Sequence, residues 1–347
     1  MKSLIYGYGE TGKSFERYLQ KKSLEFKIFD KNIIEYNKNY NLMDFDQILC
    51  SPGITRNDFQ EITRLNRNIL TDIDLFFKED RSIKIGITGT NRKSTTAYHL
   101  YQLFENYDPA NLIGNIGNPM LDHINNKKRF SIIELSSYQL DKMRINDLDF
   151  GILLNIDVDH LDYHGNLEAY KKAKEKILLA KENISNQMDP YELFEWITKT
   201  KAKKIKLDNL PYRLELISKN IINDSKSTNF HSLLYALNKV DDLFKDQDYI
   251  LIVCGNPEKE KHRKVSIEGP KEVLIFGKHA LELDVCINHP RKTVYTSLED
   301  IFNNIKGNKN YKNILFSPGY PSGNDFKDYI KRGDYFNSLV KKHLDED

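Results

Sequence analysis

The sequence predicts an α/β chain of three domains, and three observations carry that prediction. Two strand–glycine turn–helix units stand around residues 3–21 and 83–96, and apolar β-branched runs alternate with helical patterns through the last third. At 347 residues the chain exceeds what one hydrophobic core usually serves. The divisions fall at 1–80, 81–209 and 210–347. They give an N-terminal Rossmann-like domain, a central P-loop mononucleotide-binding parallel sheet and a C-terminal Rossmann-like domain.

The first strand is expected at 3–6. It runs into Gly7-Tyr8-Gly9-Glu10-Thr11-Gly12 and a helix over about 13–21, and a second strand at 26–29 ends on Asp30. The glycines fit GxGxxG, and an acid at the tip of the second strand is where a dinucleotide-binding unit holds a ribose. The same crevice cradles the pyrophosphate of other nucleotides, so a nicotinamide cofactor and a UDP-sugar both stay open. A third strand at 47–50 enters Ser51-Pro52-Gly53-Ile54, a tight turn at a strand's carboxyl end, where open α/β sheets place ligands.

The central domain opens with a strand at 83–87 and the run Gly86-Ile87-Thr88-Gly89-Thr90-Asn91-Arg92-Lys93-Ser94-Thr95-Thr96. A helix starting at Ser94 presents unpaired backbone N–H groups to an anion. Lys93 is placed for the outer phosphates of a nucleoside triphosphate and Ser94 for Mg²⁺. Arg92 stands where a P-loop has glycine, and the spacing from Gly86 to Lys93 is one residue longer than the general pattern. Further strands are expected at 130–135, with Glu134 near the end, and at 150–155, apolar on both faces. The latter leads into Asp157-Val158-Asp159-His160-Leu161-Asp162 and a Lys-rich helix over 167–181. Acids and a histidine beyond parallel strands, facing a P-loop, point to a metal–phosphate site. The C-terminal domain begins at Asn209-Leu210-Pro211-Tyr212-Arg213, with strands near 249–254, 273–276 and 313–316.

Composition narrows the function classes. Lys+Arg at 52 against Asp+Glu at 50 leaves +2, with basic residues scattered, which argues against nucleic acid as a partner. Cys50, Cys254 and Cys286 lack CxxC spacing, which argues against a disulfide framework and a zinc site. No apolar run approaches the ~18 residues of a membrane span. The expectation is a cytoplasmic, monomeric enzyme acting on small molecules, without membrane insertion.

With these residues in view, the chain resembles the Mur ligase family, through motifs in family order along nearly the whole sequence. Gly89-Thr90-Asn91-Arg92-Lys93-Ser94-Thr95 is similar to the family's GTNGKST loop, and Asn115 in Gly114-Asn115-Ile116-Gly117 falls at a substrate-binding asparagine. Glu134-Leu135-Ser136-Ser137-Tyr138-Gln139-Leu140 is close to ELSSFQL, which points to the D-glutamate-adding member, its Glu a Mg²⁺ ligand. His160 falls in the second-metal segment and Lys174 at the family's carbamylated lysine; a carbamate turns the cation into a carboxylate-like anion that can help hold the second Mg²⁺.

In the same register Arg213 meets an incoming carboxylate. Asn223-Asp224-Ser225-Lys226-Ser227-Thr228-Asn229 resembles NDSKATN, with Asp224 serving the nucleotide and Lys226 and Thr228 the substrate complex. Ser317-Pro318-Gly319-Tyr320-Pro321-Ser322, then Phe326, Tyr329 and Arg332-Gly333-Asp334, is similar to the family tail, placing Ser322 and Tyr329 at D-glutamate. The resemblance also recasts the N-terminal turn, so that Gly9, Thr11, Asp30, Ser51, Pro52, Gly53 and Asn115 become UDP-sugar contacts.

What the resemblance implies is an ATP- and Mg²⁺-dependent amide ligase with two metal sites. It would add D-glutamate to UDP-N-acetylmuramoyl-L-alanine through an acyl phosphate. Lys93, Glu134, His160 and Lys174 would be the catalytic set, and Gly89 through Thr95 with Asp224 would hold ATP. Two departures accompany Arg92. The span from Lys174 to Arg213 is short for the family, so a peripheral subdomain of the central domain is expected to be missing. The family's Gly-Gly-Asp-x-Lys run reads Cys254-Gly255-Asn256-Pro257-Glu258-Lys259, leaving Lys259 and Lys261 as candidates for its lysine. A ligase of different amino-acid specificity, a non-catalytic Mur-like subunit and an NAD-dependent oxidoreductase remain alternatives.

Overall fold

A computed structural model describes residues 1–186, 188–244, 248–257, 264–306, 313–323 and 325–344. The chain divides into two compact units, Met1–Asp208 and Asn209–Asp347.

The first unit holds two parallel sheets. Its first part runs β1 (Lys2–Tyr6), α1 (Glu10–Lys21), β2 (Glu25–Phe29), β3 (Gln47–Cys50), α2 (Arg56–Leu65), β4 (Ile69–Leu70) and α3 (Asp72–Glu79). Its second part runs β5 (Ile83–Thr88), α4 (Lys93–Glu105), β6 (Ala110–Gly114), β7 (Phe130–Glu134), α5 (Ser137–Lys142), β8 (Phe150–Leu153), α6 (Leu161–His164), α7 (Leu167–Glu175), β9 (Glu182–Ile184) and α8 (Pro190–Thr198). The strand orders are β2-β1-β3-β4 and β6-β7-β5-β8-β9. Every described pairing in these two sheets is parallel. That geometry forces a crossover between paired strands and gathers the turns after the strands at one edge, where ligands meet the sheet.

Local chemistry explains the element ends. Helix α1 starts earlier than the expected 13, with Gly9 as its extended N-cap. A Cβ on Gly12 would lie 2.3 Å from the Gly7 carbonyl oxygen, so this position admits only glycine where helix and turn meet. Thr71 and Asp74 form a capping box on α3, and Ser136 and Gln139 form one on α5. Helix α4 begins at Lys93, one residue before the expected Ser94, with Arg92 as its N-cap.

Two expected lengths are corrected. The Lys-rich helix ends at Glu175, and Lys176–Leu179 tightens into a 3₁₀ turn. A Cβ on Gly151 of β8 would meet the Ile177 carbonyl at 2.1 Å, so the tighter turn seats fully buried Ile177 against the sheet. Strand β8 ends at Leu153 because Asn155 turns toward the β5–α4 turn, accepting from Thr90 N and Asn91 N.

The second unit comprises β10 (Glu215–Ser218), β11 (Ile221–Asn223), α9 (Phe230–Phe244), β12 (Tyr249–Cys254), β13 (Val265–Ser266), β14 (Glu272–Phe276), α10 (Ala280–Cys286), β15 (Ile287–Asn288), β16 (Lys292–Tyr295), α11 (Leu298–Lys306), β17 (Asn313–Gly319) and α12 (Tyr329–His343). Its main sheet has the order β10-β11-β17-β12-β14-β16, while β13 and β15 pair apart. Of the described pairings in the main sheet, β10–β11 is antiparallel and the rest are parallel. One apolar layer gathers Leu233 and Leu237 of α9 with Leu251 and Leu315. Another gathers Phe302 and Phe336 of α11 and α12 with Phe316, whose ring stacks on Phe336 at 4.4 Å.

Candidate functional site

In the first unit, the β1–α1 turn and the turn after β3 enclose a cavity of about 460 Å³. Gly9, Thr11, Asp30, Ser51, Pro52, Gly53 and Asn115 all line it, although they lie far apart in sequence. Gly7 N donates to Phe29 O, Ser51 Oγ donates to Gly7 O at 2.6 Å, and Asp30 Oδ2 accepts from Tyr8 N at 2.7 Å. The other Asp30 oxygen accepts from Asn32 N at 2.8 Å, so this carboxylate braces the turn as well as bordering the cavity. The sequence reading missed Lys31, Ser136 and Gln139 in the lining. For the last two the signal was present, because the capping box of α5 turns both residues toward the end of β7.

The β5–α4 turn is braced by two lysine amines. Arg92 adopts φ +65°, a left-handed conformation that costs a side-chain-bearing residue about 1 kcal/mol or more. Its side chain is exposed. Lys93 Nζ donates to Gly89 O at 2.7 Å and Thr90 O at 3.0 Å. Lys174, on α7, is 1% exposed and donates to Gly89 O at 2.7 Å and Thr88 Oγ1 at 3.3 Å. Burial, then the charge of Lys93, pushes its amine down to about 6. Tyr170, four residues earlier on the same helix, contacts that amine through its ring and Thr90 through its hydroxyl at 2.9 Å. The i,i+4 spacing of Tyr170 and Lys174 was the legible signal for this partner. Ser94 and Thr95 lie in the first turn of α4.

Glu134 ends β7, paired in register with Ile87 of β5, and is 1% exposed. Its Oε1 accepts from Asn115 Nδ2 at 2.9 Å, and its Oε2 has no hydrogen-bond partner among the described residues. A buried carboxylate oxygen left this way carries a desolvation cost that a cation would offset. His160, at φ +51°, is exposed; Tyr138 Oη lies 3.1 Å from its Nδ1 and Asp159 3.5 Å from its Nε2. Among the described residues, no three His, Cys, Asp or Glu side chains come together as a metal set.

In the second unit the predicted residues converge at the carboxyl ends of β11, β17 and β12. Lys226 N donates to Tyr212 O, Gly319 N to Ser227 O and Asn256 N to Pro321 O. The Lys226 ammonium lies 5.2 Å from the Tyr329 ring centre, and Ser322 is buried. Arg213 Nε is buried without a hydrogen-bond partner among the described residues. Asp224 is 3% exposed, and its oxygens accept from Leu214 N at 3.1 Å and Ser317 Oγ at 2.7 Å, so its carboxylate organises the loop that carries Lys226 and Thr228. Burial pushes Asp224 up to about 6. Lys259 and Lys261 lie outside the described residues.

Two glycine-rich strand–turn–helix units on parallel sheets, with a buried carboxylate at the end of the strand beside the second, define a nucleotide-handling α/β enzyme. Residues 87–245 match the model of the Mur ligase middle domain. The fold is that of the Mur ligases along nearly the whole chain. It matches MurC of Thermotoga maritima with TM-score 0.55 at 13% identity, over 99% of both chains. It matches the ADP complex of MurF from the same organism with TM-score 0.53 at 14% identity, over 98% of this chain and 95% of that one. The whole chain thus resembles the Mur ligase family, whose middle domain it matches over residues 87–245. Within it, the UDP-N-acetylmuramoylalanine–D-glutamate ligase of Francisella philomiragia is 28% identical over 98% of this chain and 96% of its own length. The Francisella tularensis subsp. novicida enzyme of the same name is 26% identical over 98% and 95%. The match to the first spans 410 positions against 347 residues here, so that relative carries segments this chain lacks.

Proposed function

We propose that this chain is an ATP-dependent amide ligase that joins D-glutamate to UDP-N-acetylmuramoyl-L-alanine in peptidoglycan precursor synthesis. The observation that carries the reading is the Asn115–Glu134 hydrogen bond. It ties a residue lining the nucleotide-sugar cavity to a buried carboxylate one strand away from the β5–α4 turn. A substrate carboxylate activated by ATP has to sit between such elements.

A carboxylate is a poor electrophile. Its oxygen attacks the γ-phosphorus, ADP leaves, and an acyl phosphate forms on the substrate. The amine of D-glutamate then attacks the acyl carbon, a proton leaves the nitrogen, and phosphate departs. The N–H groups at the start of α4 and the Lys93 ammonium would counter charge on the transferred phosphoryl group. Ser94 and Glu134 would hold one Mg²⁺, and His160 with a carbamylated Lys174 a second, supplying further charge neutralisation. The low pKa of Lys174 suits carbamylation, because the neutral amine is the form that attacks CO₂. Gly9, Thr11, Asp30, Ser51, Pro52 and Gly53 would hold the UDP-sugar. Arg213, Lys226, Thr228, Ser322 and Tyr329 would bind and aim D-glutamate, a positional contribution to rate. Asp224 would serve ATP indirectly, through the loop it braces.

The reading brings with it small-molecule partners, a monomer and a cytoplasmic setting; no described helix is long and apolar enough to cross a membrane. The test is phosphate release from ATP and Mg²⁺ with UDP-N-acetylmuramoyl-L-alanine and a panel of amino acids. Release with D-glutamate and not L-glutamate is expected. Release with another amino acid alone corrects the specificity, and no release with any refutes the ligase.

A further inference from the structure

Arg213 sits between two non-glycine residues in left-handed conformations, Tyr212 at φ +60° and Leu214 at φ +45°. Bulky side chains rarely adopt these angles, and such strain persists only where surrounding structure over-determines it. Three consecutive residues of α12 bear on this segment and on the loop beside it. Asp334 Oδ1 accepts from the Tyr212 hydroxyl at 2.6 Å. Gly333 makes room for the ring, since a Cβ there would lie 2.2 Å from Tyr212 Cδ1. Arg332, fully buried, donates to Ser225 O at 2.7 Å, Ser225 Oγ at 3.1 Å, Tyr320 O at 2.9 Å and Ser227 O at 3.4 Å. Its fork thus fastens both neighbours of Lys226 and the loop that leads to Ser322. The circuit closes through Lys226 N, which donates to Tyr212 O at 2.8 Å.

We propose that Arg332, Gly333 and Asp334 act as one clamp, which holds Tyr212–Leu214 in its strained form and so presents Arg213 and Lys226 to the carboxylates of the incoming amino acid. The three are positioning residues, and the ligand class is a dicarboxylic amino acid. This inference rests on the ligase reading for its substrate, and on the second unit alone for its geometry. A buried guanidinium is costly unless its donors are met, and here they are met by carbonyls of the very loops that carry the recognition residues. Burial lowers the Arg332 pKa from its ordinary value, while Cys254, Asp224 and Asp325 nearby favour the charge.

The experiment uses the full chain with Tyr212→Phe, Asp334→Ala, the double variant, and Asp334→Asn, whose amide oxygen still accepts. The hydroxyl–carboxylate bond lies at the surface end of the clamp, so these variants leave its core in place. Tyr212→Phe and Asp334→Ala are each expected to raise KM for D-glutamate roughly tenfold, the value of one hydrogen bond to a charged group. KM for ATP should stay unchanged, the double variant should be no worse than either single one, and Asp334→Asn should restore the parent value. Hydrogen exchange across residues 224–229 should quicken in Asp334→Ala and not in Asp334→Asn. A lowered melting temperature with unchanged KM and unchanged exchange overturns the clamp. If the parent chain turns over no amino acid, the ligase reading fails, and exchange across 224–229 alone decides whether the clamp stands.

Discussion

The β1–α1 and β5–α4 turns are built to one plan and braced by opposite means. At the first, an acid does the bracing: Asp30 accepts from Tyr8 N, and the one left-handed residue is Gly7, at φ +90°. At the second, two lysine amines converge on the Gly89 carbonyl, Asn155 accepts from Thr90 N and Asn91 N, and the left-handed residue is Arg92. The Asp30 carboxylate sets a negative charge beside the first turn, whereas Arg92 and Lys93 set positive charge at the second. The second turn is therefore suited to the more highly charged triphosphate, and the first to a ligand that needs shape and a few directed contacts. Glycine spacing announces that an anion can be held; the side chains bracing the turn decide which.

The largest effect that tests this contrast is Lys93→Ala. Phosphate release should fall by roughly 10³ or more, because a charge that meets the transferred phosphoryl group is lost. UDP binding by calorimetry should be unchanged; loss of both would mean that the two turns are not separate sites. Next is Gly12→Ala, whose Cβ meets the Gly7 carbonyl. It should cost about 1–3 kcal/mol of stability in urea melts and weaken UDP while sparing ATP.

The third test is pH. The Lys174 amine lies near 6 in the folded chain and in the ordinary lysine range when unfolded, so between those values the unfolded state binds the extra proton. Stability should rise with pH through that window by up to about 1.4 kcal/mol per unit, and Lys174→Met should flatten the slope in CO₂-free buffer. The smallest effect is expected from Arg92→Gly. Relief of the left-handed strain should stabilise the chain by about 1 kcal/mol, read from the urea midpoint. A destabilised variant would show that the guanidinium supports the fold.

What the sequence made legible was chemistry at strand ends. A Lys, a Glu or a Ser-Pro-Gly after an apolar run announces itself, because parallel strands are uniformly apolar and their carboxyl ends are where polarity starts. Seven of the residues that line the first unit's cavity stand in turns just after such strands. Bracing was not legible, because it is made between distant segments. Arg332 stood out as part of a motif, yet its hold on Ser225 spans 107 positions, and nothing local marks it. The left-handed angles at Tyr212 and Leu214 were invisible too, since turn rules assign them to Gly or Asn. The overlong helix over 167–181 failed for a related reason. Its Lys-Ile-Leu-Leu run has good helix propensity, and packing of Ile177 against Gly86 and Gly151 overrides it.

Strand β17 is the last of the described strands and lies between β11 and β12. While the protein is being synthesised, the second unit's sheet therefore stays in two parts, one ending in Asn223 and the other in Cys254, until residues 313–319 emerge to join them. A chain interrupted before that point holds every glycine of the β1–α1 and β5–α4 turns and lacks the strand whose Ser317 donates to Asp224, so the first unit's sheets can be complete while the second unit's is still in two parts.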